Sequence, residues 1–286
     1  MLDKLAACLS AGSYSPRTVR NYCSEMRFLF SYFNDRDPNE IGADEIILYL
    51  NYLKTSLNLG RDKCRMLAQS CSFFYKHVLK KPYLLPSKLY PRKEFKLPEI
   101  LSQQHAAHLF QSVRTIKYRC IIGLFYGSGL RLNELRMLKI SAIDSTAMQL
   151  KVVQGKGNKD RFTILPKFIL DDLRTYYKQE RPKEFLFEGR YPGKPMHERA
   201  IGHAVTQCMK LAGYQDKGFS PHTLRHSFAT HLLDQGVDIH TIKELLGHSK
   251  IETTMVYLHL QQTKRASLIS PLDKMIGDVD TKPTQS

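Results

Sequence analysis

The chain has 286 residues, enough for two ordinary domains or one large one, and 42% are hydrophobic, so each half can bury a core. No run of about 18 uncharged apolar residues occurs, which argues against a membrane span, and Met1 to Ser10 carries Asp3 and Lys4 without an apolar signal core, an N-terminus expected of a cytoplasmic protein. The formal net charge of +16 makes a polyanion the natural partner, nucleic acid first, although a ribosomal or membrane-surface protein shares this balance.

Residues 14–80 read as helices. Ser15-Pro16 is a helix start, with serine at the N-cap and proline in the first turn. Val19, Tyr22, Met26, Leu29 and Phe33 then recur at three- and four-residue steps and form one apolar stripe. Asp44 to Leu53 is a second, short helix. Arg61 to Leu79 is a third, with Met66, Cys71, Phe74 and Val78 inward and basic residues outward. Three or four such helices make a small all-α domain, residues 1–81. Composition then shifts: Pro82, Pro86, Pro91 and Pro98 stand among many Lys and Arg, and a helix cannot continue through them. Residues 82–98 are expected to be a basic interdomain linker, charged suitably to lie along DNA.

The second domain is expected to span 99–277. Ser102 to Val113 and Tyr118 to Tyr126 read as helical. Met148 to Gln154 alternates, Arg161 to Leu165 is β-rich, and Gly155-Lys156-Gly157-Asn158-Lys159 between them is a hairpin turn signal. Helix returns after Pro166. The tail 278–286 is polar and is expected to be disordered. The cysteines (Cys8, Cys23, Cys64, Cys71, Cys120 and Cys208) are scattered, with no C-x-x-C pair, so they read as reduced, mostly buried thiols.

Four segments carry residues suited to an anion. Ser220-Pro221 opens a helix on which His222 and Arg225, three apart, share one face near the N-terminus. Arg131 lies in Gly129-Leu130-Arg131-Leu132-Asn133-Glu134, where Gly129 permits a turn and a helix follows. Glu134 braces either that helix start or Arg131. Lys156 stands at the tip of the glycine-flanked hairpin. Gly247 fits a left-handed helix end, Ser249 to Glu252 fits a capping box opening the next helix, and His248 sits in the turn between. Tyr257 follows on that new helix. Singly, each has a plain reading: a packed histidine, a core tyrosine, a solvated turn lysine.

Together they resemble a known family. The ordered set Arg131, Lys156, His222-x-x-Arg225, His248 and Tyr257 is similar to the catalytic set of the tyrosine recombinases (phage integrases). The surrounding words match too: Gly-Leu-Arg-x-x-Glu-Leu, Gly-Lys-Gly-Asn-Lys, Pro-His-x-Leu-Arg-His-x-Phe-Ala-Thr-His, Leu-Gly-His-Ser and Thr-Thr-x-x-Tyr. The resemblance covers nearly the whole chain and is closest to compact Xer and integron-type members. It implies a mainly α fold with a small β-sheet, in which an N-terminal helical SAM-like core-binding domain precedes a C-terminal α+β catalytic domain, the two forming a C-shaped clamp around DNA. It implies a homotetramer working on two DNA duplexes, with 264–275 as the candidate segment exchanged between neighbours.

The chemistry fits these residue types. Strand transfer at a phosphodiester places charge on two non-bridging oxygens, which guanidinium forks bind bidentately; Arg131 and Arg225 are the candidate clamp. His222 and His248 are further donors, and His222 is also the candidate proton acceptor for the phenol of Tyr257, the nucleophile. Lys156 is the general acid that the resemblance implies for the leaving 5′-oxygen. The 3′-phosphotyrosine retains the bond energy, so neither cofactor, metal nor ATP is needed. A metal-dependent nuclease needs clustered carboxylates, but Asp171 and Asp172 are adjacent and so face different ways. His222 and His226 have the spacing of a zinc helix, yet Arg225 between them repels zinc. A type IB topoisomerase shares the tyrosine chemistry, and a DNA-binding regulator has no reason to keep the whole catalytic set.

Overall fold

A computed structural model describes residues 1–82, 98–153 and 160–261. Lys156, nearly all of the linker, the segment 264–275 and the polar tail therefore lie outside the described residues. The chain forms two compact units, Met1–Phe95 and Lys96–Ser286.

The described residues of the first unit form four α-helices: α1 (Leu2–Ala11), α2 (Pro16–Tyr32), α3 (Ala43–Thr55) and α4 (Arg61–Phe73), the last running on into a π-helical turn, Phe74–Val78. Ser15 caps α2, its hydroxyl accepting from the Thr18 amide at 3.1 Å. The stripe read from α2 faces inward: Met26 and Leu29 are fully buried, and Val19, Tyr22 and Phe33 pack against the same core. On α4 the inward residues are Cys64, Leu67, Ala68 and Cys71, while Met66 is only half-buried. Helix α1 was not expected. Its apolar signal is short, and Leu5 and Leu9 become a buried face only because α2 lies beside them.

In the second unit, α5 (Gln103–Ser112) and α6 (Ile116–Ser128) match the expected helices, and α7 (Leu132–Arg136) follows Arg131. A three-stranded antiparallel sheet comes next: β1 (Ile143–Asp144), β2 (Gln149–Val152) and β3 (Arg161–Ile164). Leu150 and Val152 of β2 are buried while Gln149 and Lys151 are exposed, so the period-two alternation is real. Strand β1, two residues long, leaves no such pattern. Helices α8 (Lys167–Glu180) and α9 (Glu198–Leu211) pack on α6. Helix α10 (Pro221–Asp234) is buried on most sides, between α6 and the C-terminal helices. Its start is a reciprocal cap: Ser220 Oγ accepts from the Thr223 amide at 3.4 Å and Thr223 Oγ1 accepts from the Ser220 amide at 3.1 Å.

Asp238 caps α11 (Ile239–Leu246), which ends at Gly247 with φ +63°, the left-handed conformation expected there. One local expectation fails beyond it. Ser249 does not cap the next helix; α12 (Glu252–Met255) starts later, with Ile251 at its N-cap and no side-chain cap. Tight turns across Lys250–Thr254 satisfy those amides instead, with Thr253 N–H donating to Lys250 and Thr254 N–H to Ile251. The chain then tightens into a 3₁₀ segment, Val256–Gln261, which carries Tyr257. No described helix is long and apolar enough to cross a membrane. All six cysteines are free thiols, four of them buried.

Candidate active site

Arg131, His222, Arg225, His226, His248 and Tyr257 line one cavity of about 330 Å³ in the second unit. Four separate elements deliver them. Gly129, at φ +62°, turns the chain out of α6 so that Arg131 becomes the N-cap of α7; a Cβ on Gly129 would lie 2.4 Å from the Phe228 ring. Helix α10 supplies His222, Arg225 and His226 from its first two turns. The turn after α11 supplies His248, and the 3₁₀ segment supplies Tyr257. The sequence-derived set therefore converges, apart from Lys156, which lies outside the described residues.

The two arginines are held differently. Arg131 donates from Nη1 to Glu134 Oε1 at 2.6 Å and from Nη2 to the Gly247 carbonyl at 3.0 Å, while its backbone amide donates to Glu134 Oε2 at 2.7 Å. Glu134 thus braces both the helix start and the guanidinium. Arg225 is only 4% exposed. Its Nη1 donates to the Gly129 carbonyl, and its Nη2 donates to the Leu246 carbonyl at 2.6 Å and to His248 Nε2 at 3.2 Å. Burial, then the neighbouring Arg131, lowers its pKa to about 9, partly offset by Glu134.

Because a guanidinium only donates, His248 Nε2 accepts from Arg225, and Nδ1 carries the hydrogen toward Thr254 Oγ1 at 2.9 Å. Burial and then Arg225, Arg131 and Arg161 push the His248 pKa down to about 3, so the ring is neutral and able to accept. In this arrangement His248 orients Arg225.

Tyr257 is 1% exposed, and its hydroxyl lies 2.9 Å from His226 Nδ1. Burial raises the phenol pKa, and Arg225 and Arg131 pull it back. The His248 ring is stacked on Tyr257 at 6.5 Å with 13° between planes. His222, expected to face the phenol, is exposed, its ring 6.5 Å from that of His226.

Two residues central to this geometry escaped the sequence reading. Arg161, at the start of β3, binds Glu134 bidentately, Nη1 to Oε1 and Nη2 to Oε2, both at 2.8 Å, and donates from Nε to the Leu245 carbonyl at 2.8 Å. In the sequence it is only the edge of a strand; no local pattern marks it. His226 stands out in the sequence only as half of a zinc-like pair, although its spacing of four from His222 puts it on the face of α10 that carries the site. Asp171 and Asp172 do diverge: Asp171 pairs with exposed Arg174, and buried Asp172 pairs with Arg119. Among the described residues no group of three or more His, Cys, Asp or Glu is placed to hold a metal ion.

Comparison with known proteins agrees with this architecture. Residues 99–264 match the phage integrase family, and residues 1–84 match the phage integrase N-terminal SAM-like domain. The chain is 31% identical over 269 residues to the tyrosine recombinase XerC of Lactobacillus leichmannii, covering 87% of this chain and 90% of that protein. It is 30% identical over 270 residues to a tyrosine recombinase of Thermosipho africanus (strain TCF52B), covering 91% and 94%. Its fold matches a crystal structure of the XerH site-specific recombinase bound to palindromic difH substrate in a post-cleavage complex, with TM-score 0.75, 19% identity, and coverage of 93% of this chain and 83% of that one.

Proposed function

The chain belongs to the phage integrase family and is a tyrosine-type site-specific recombinase; within that activity we propose that Tyr257 is the nucleophile and that double-stranded DNA sites are the substrate. The observation that carries this reading is the single cavity in which the Tyr257 hydroxyl, Arg131 and Arg225 meet.

Strand cleavage begins when the Tyr257 oxygen attacks the scissile phosphorus. A phenol with unperturbed pKa near 10 is ionised to only about one part in a thousand at pH 7, so it needs a base or a positive field. Arg131 and Arg225 supply that field and hold the two non-bridging oxygens as charge develops. Both forks are preorganised by Glu134 and by backbone carbonyls, so little reorganisation is needed as the reaction proceeds. His222, on the exposed side of the cavity, is a further donor to the phosphate. Lys156 is the general acid for the leaving 5′-oxygen. A second strand's 5′-hydroxyl then attacks the 3′-phosphotyrosine, so neither metal nor ATP enters. Four protomers act on two duplexes, with the segment 264–275 linking neighbours, and the +16 net charge favours binding that weakens steeply with salt.

The test is incubation with a nicked suicide duplex carrying sites from the protein's own genomic neighbourhood, in EDTA and without ATP, read on a denaturing gel. The expected result is a covalent protein–DNA band that vanishes in Tyr257→Phe. A band that persists in that variant moves the nucleophile elsewhere and overturns the assignment.

A further inference from the structure

We infer that Arg161 is a positioning residue for strand cleavage: it offsets the charge of Glu134 and so leaves Arg131 and Arg225 free to grip the scissile phosphate. The inference rests on the reading of those two arginines as the phosphate clamp, and adds the third arginine that such a clamp requires.

The three guanidinium groups are held between the same two supports. One is Glu134, which accepts from Arg131 Nη1 at 2.6 Å and from Arg161 Nη1 and Nη2 at 2.8 Å, with Arg225 Nη1 at 3.5 Å. The other is the C-terminus of α11, where three successive carbonyls each hold one arginine. Leu245 accepts from Arg161 Nε at 2.8 Å, Leu246 from Arg225 Nη2 at 2.6 Å, and Gly247 from Arg131 Nη2 at 3.0 Å. Carbonyls at a helix C-terminus lack partners within the helix and carry its negative end, so they suit cations. Among the described residues, Arg131 and Arg225 line the cavity and Arg161 does not. The Arg161 side chain is 9% exposed, and its Cδ lies 2.7 Å from where a Cβ on Gly247 would stand. Arg161 therefore acts through Glu134 and not on the phosphate itself.

Charge balance gives the third arginine its task. Three guanidinium charges against one carboxylate leave two positive charges for the site. The phosphorane-like state carries charge on two non-bridging oxygens, so the site matches it. Without Arg161 one positive charge is left, and Glu134 is met by Arg131 and Arg225 alone. A buried carboxylate that has lost a partner attracts the cations that remain, which draws both forks away from the phosphate. The nucleophile suffers as well. Burial raises the Tyr257 phenol pKa while Arg225 and Arg131 lower it, so a clamp turned toward Glu134 leaves the phenol harder to ionise. His248 feels the third arginine directly: burial first, then Arg225, Arg131 and Arg161, hold its ring neutral, the form that accepts from Arg225.

The experiment compares two suicide duplexes of the sequence that the protein cleaves. One has an ordinary phosphodiester at the cleavage site. The other has a methylphosphonate there, in which a methyl group replaces one non-bridging oxygen and removes the negative charge. Single-turnover formation of the covalent complex is followed at saturating protein, below the melting temperature of every variant. The proteins are the intact chain, Arg161→Met, Arg161→Lys, Arg161→Met with Glu134→Gln, Arg131→Gln and Tyr257→Phe. Each variant's rate is divided by that of the intact protein on the same duplex.

Arg161→Met is expected to be slower by about 10²-fold on the phosphodiester, the scale of a catalytic group displaced by about 1 Å. Its loss on the methylphosphonate is expected to be far smaller, because that substrate needs less charge from the clamp. Adding Glu134→Gln restores two positive charges and is expected to recover most of the loss on the phosphodiester. Arg161→Lys keeps the charge without the fork, so its loss is expected to be smaller and again confined to the phosphodiester; it carries the comparison if the methionine variant does not fold. A residue that only stabilises the fold does not distinguish charge on the substrate. Equal losses on both duplexes, or a double variant no faster than Arg161→Met on the phosphodiester, therefore overturn the proposal. Arg131→Gln separates this failure from failure of the clamp. Equal losses in Arg131→Gln overturn the clamp reading, whereas a phosphodiester-selective loss there but not in Arg161→Met overturns the role of Arg161 alone. A covalent complex that survives Tyr257→Phe overturns the nucleophile and is seen in the same gels.

Discussion

Replacing Glu134 by glutamine keeps the shape of the side chain and removes its charge from beneath three guanidinium groups. The carboxylate is 7% exposed and is met by Arg131 at 2.6 Å, by both Nη atoms of Arg161 at 2.8 Å and by Arg225 at 3.5 Å. Burial pushes its pKa up, but Arg161 first and Arg131 after it overcome that and hold it at about 2, against an ordinary 4.5. That difference is worth about 3 kcal/mol of preference for the ionised form, and glutamine is the uncharged isostere. Removing one partner of a buried ion pair costs a similar amount, about 3–5 kcal/mol, because charge is left uncompensated. For a domain of this size the loss is a fall in Tm of about 6–20 °C. The assay is calorimetry of the intact protein and the variant at pH 7 and low salt. The sign with pH is also fixed: the folded pKa is depressed, so this contribution is present above about pH 4.5 and lost as pH falls toward about 2. Arg161→Met combined with Glu134→Gln is expected to lose less than the sum of the single changes, since the double variant leaves fewer unpaired charges. A Tm for Glu134→Gln within about 2 °C of the parent would refute the reasoning that this carboxylate holds the arginine cluster together.

Three further predictions concern neighbouring parts of the site. Gly247→Ala places a Cβ 2.7 Å from Arg161 Cδ at a φ of +63°; it is expected to cost about 1–2 kcal/mol in backbone strain alone, and to slow covalent-complex formation because the Gly247 carbonyl also holds Arg131. Unchanged cleavage and Tm would rule this out. His226 and His248 are both held neutral, with pKa values near 4 and 3. The unfolded chain therefore binds their protons first, and the second unit is expected to lose stability as pH falls from about 6.5 toward 4. Thermal melts across that range check the slope, which should be shallower in His248→Gln. Lys156→Ala is expected to cleave an ordinary phosphodiester poorly and a bridging 5′-phosphorothiolate nearly normally; equal defects on both substrates would remove Lys156 as the general acid.

Much of this protein is legible along the chain because its signals are local. The Ser15-Pro16 and Ser220-Pro221 starts, the apolar stripe of α2, the alternation of β2 and the glycines at 129 and 247 each depend on a few neighbouring residues and on backbone geometry. The family words around Arg131, His222, Arg225, His248 and Tyr257 likewise sit in short segments, so the likeness to the recombinases, and with it the fold class, is legible in the chain alone. What the sequence could not supply were relations between segments far apart in number. Arg161 meets Glu134 from another element, and only close packing of β3 against α6 and α11 turns a strand-edge arginine into a buried counter-charge. The choice between His222 and His226 as the phenol's partner depends on the rotation of α10 against the 3₁₀ segment, which no spacing along α10 encodes. Ser249 failed as a cap for the same reason: the tight turns that set His248 against Arg225 and Thr254 delay the helix past the point where its local pattern would start it. Residue types and their order are written locally, whereas which side chains share protons and charge is decided by tertiary packing, because hydrogen bonds and desolvation act over a few ångströms of space whatever the separation along the chain.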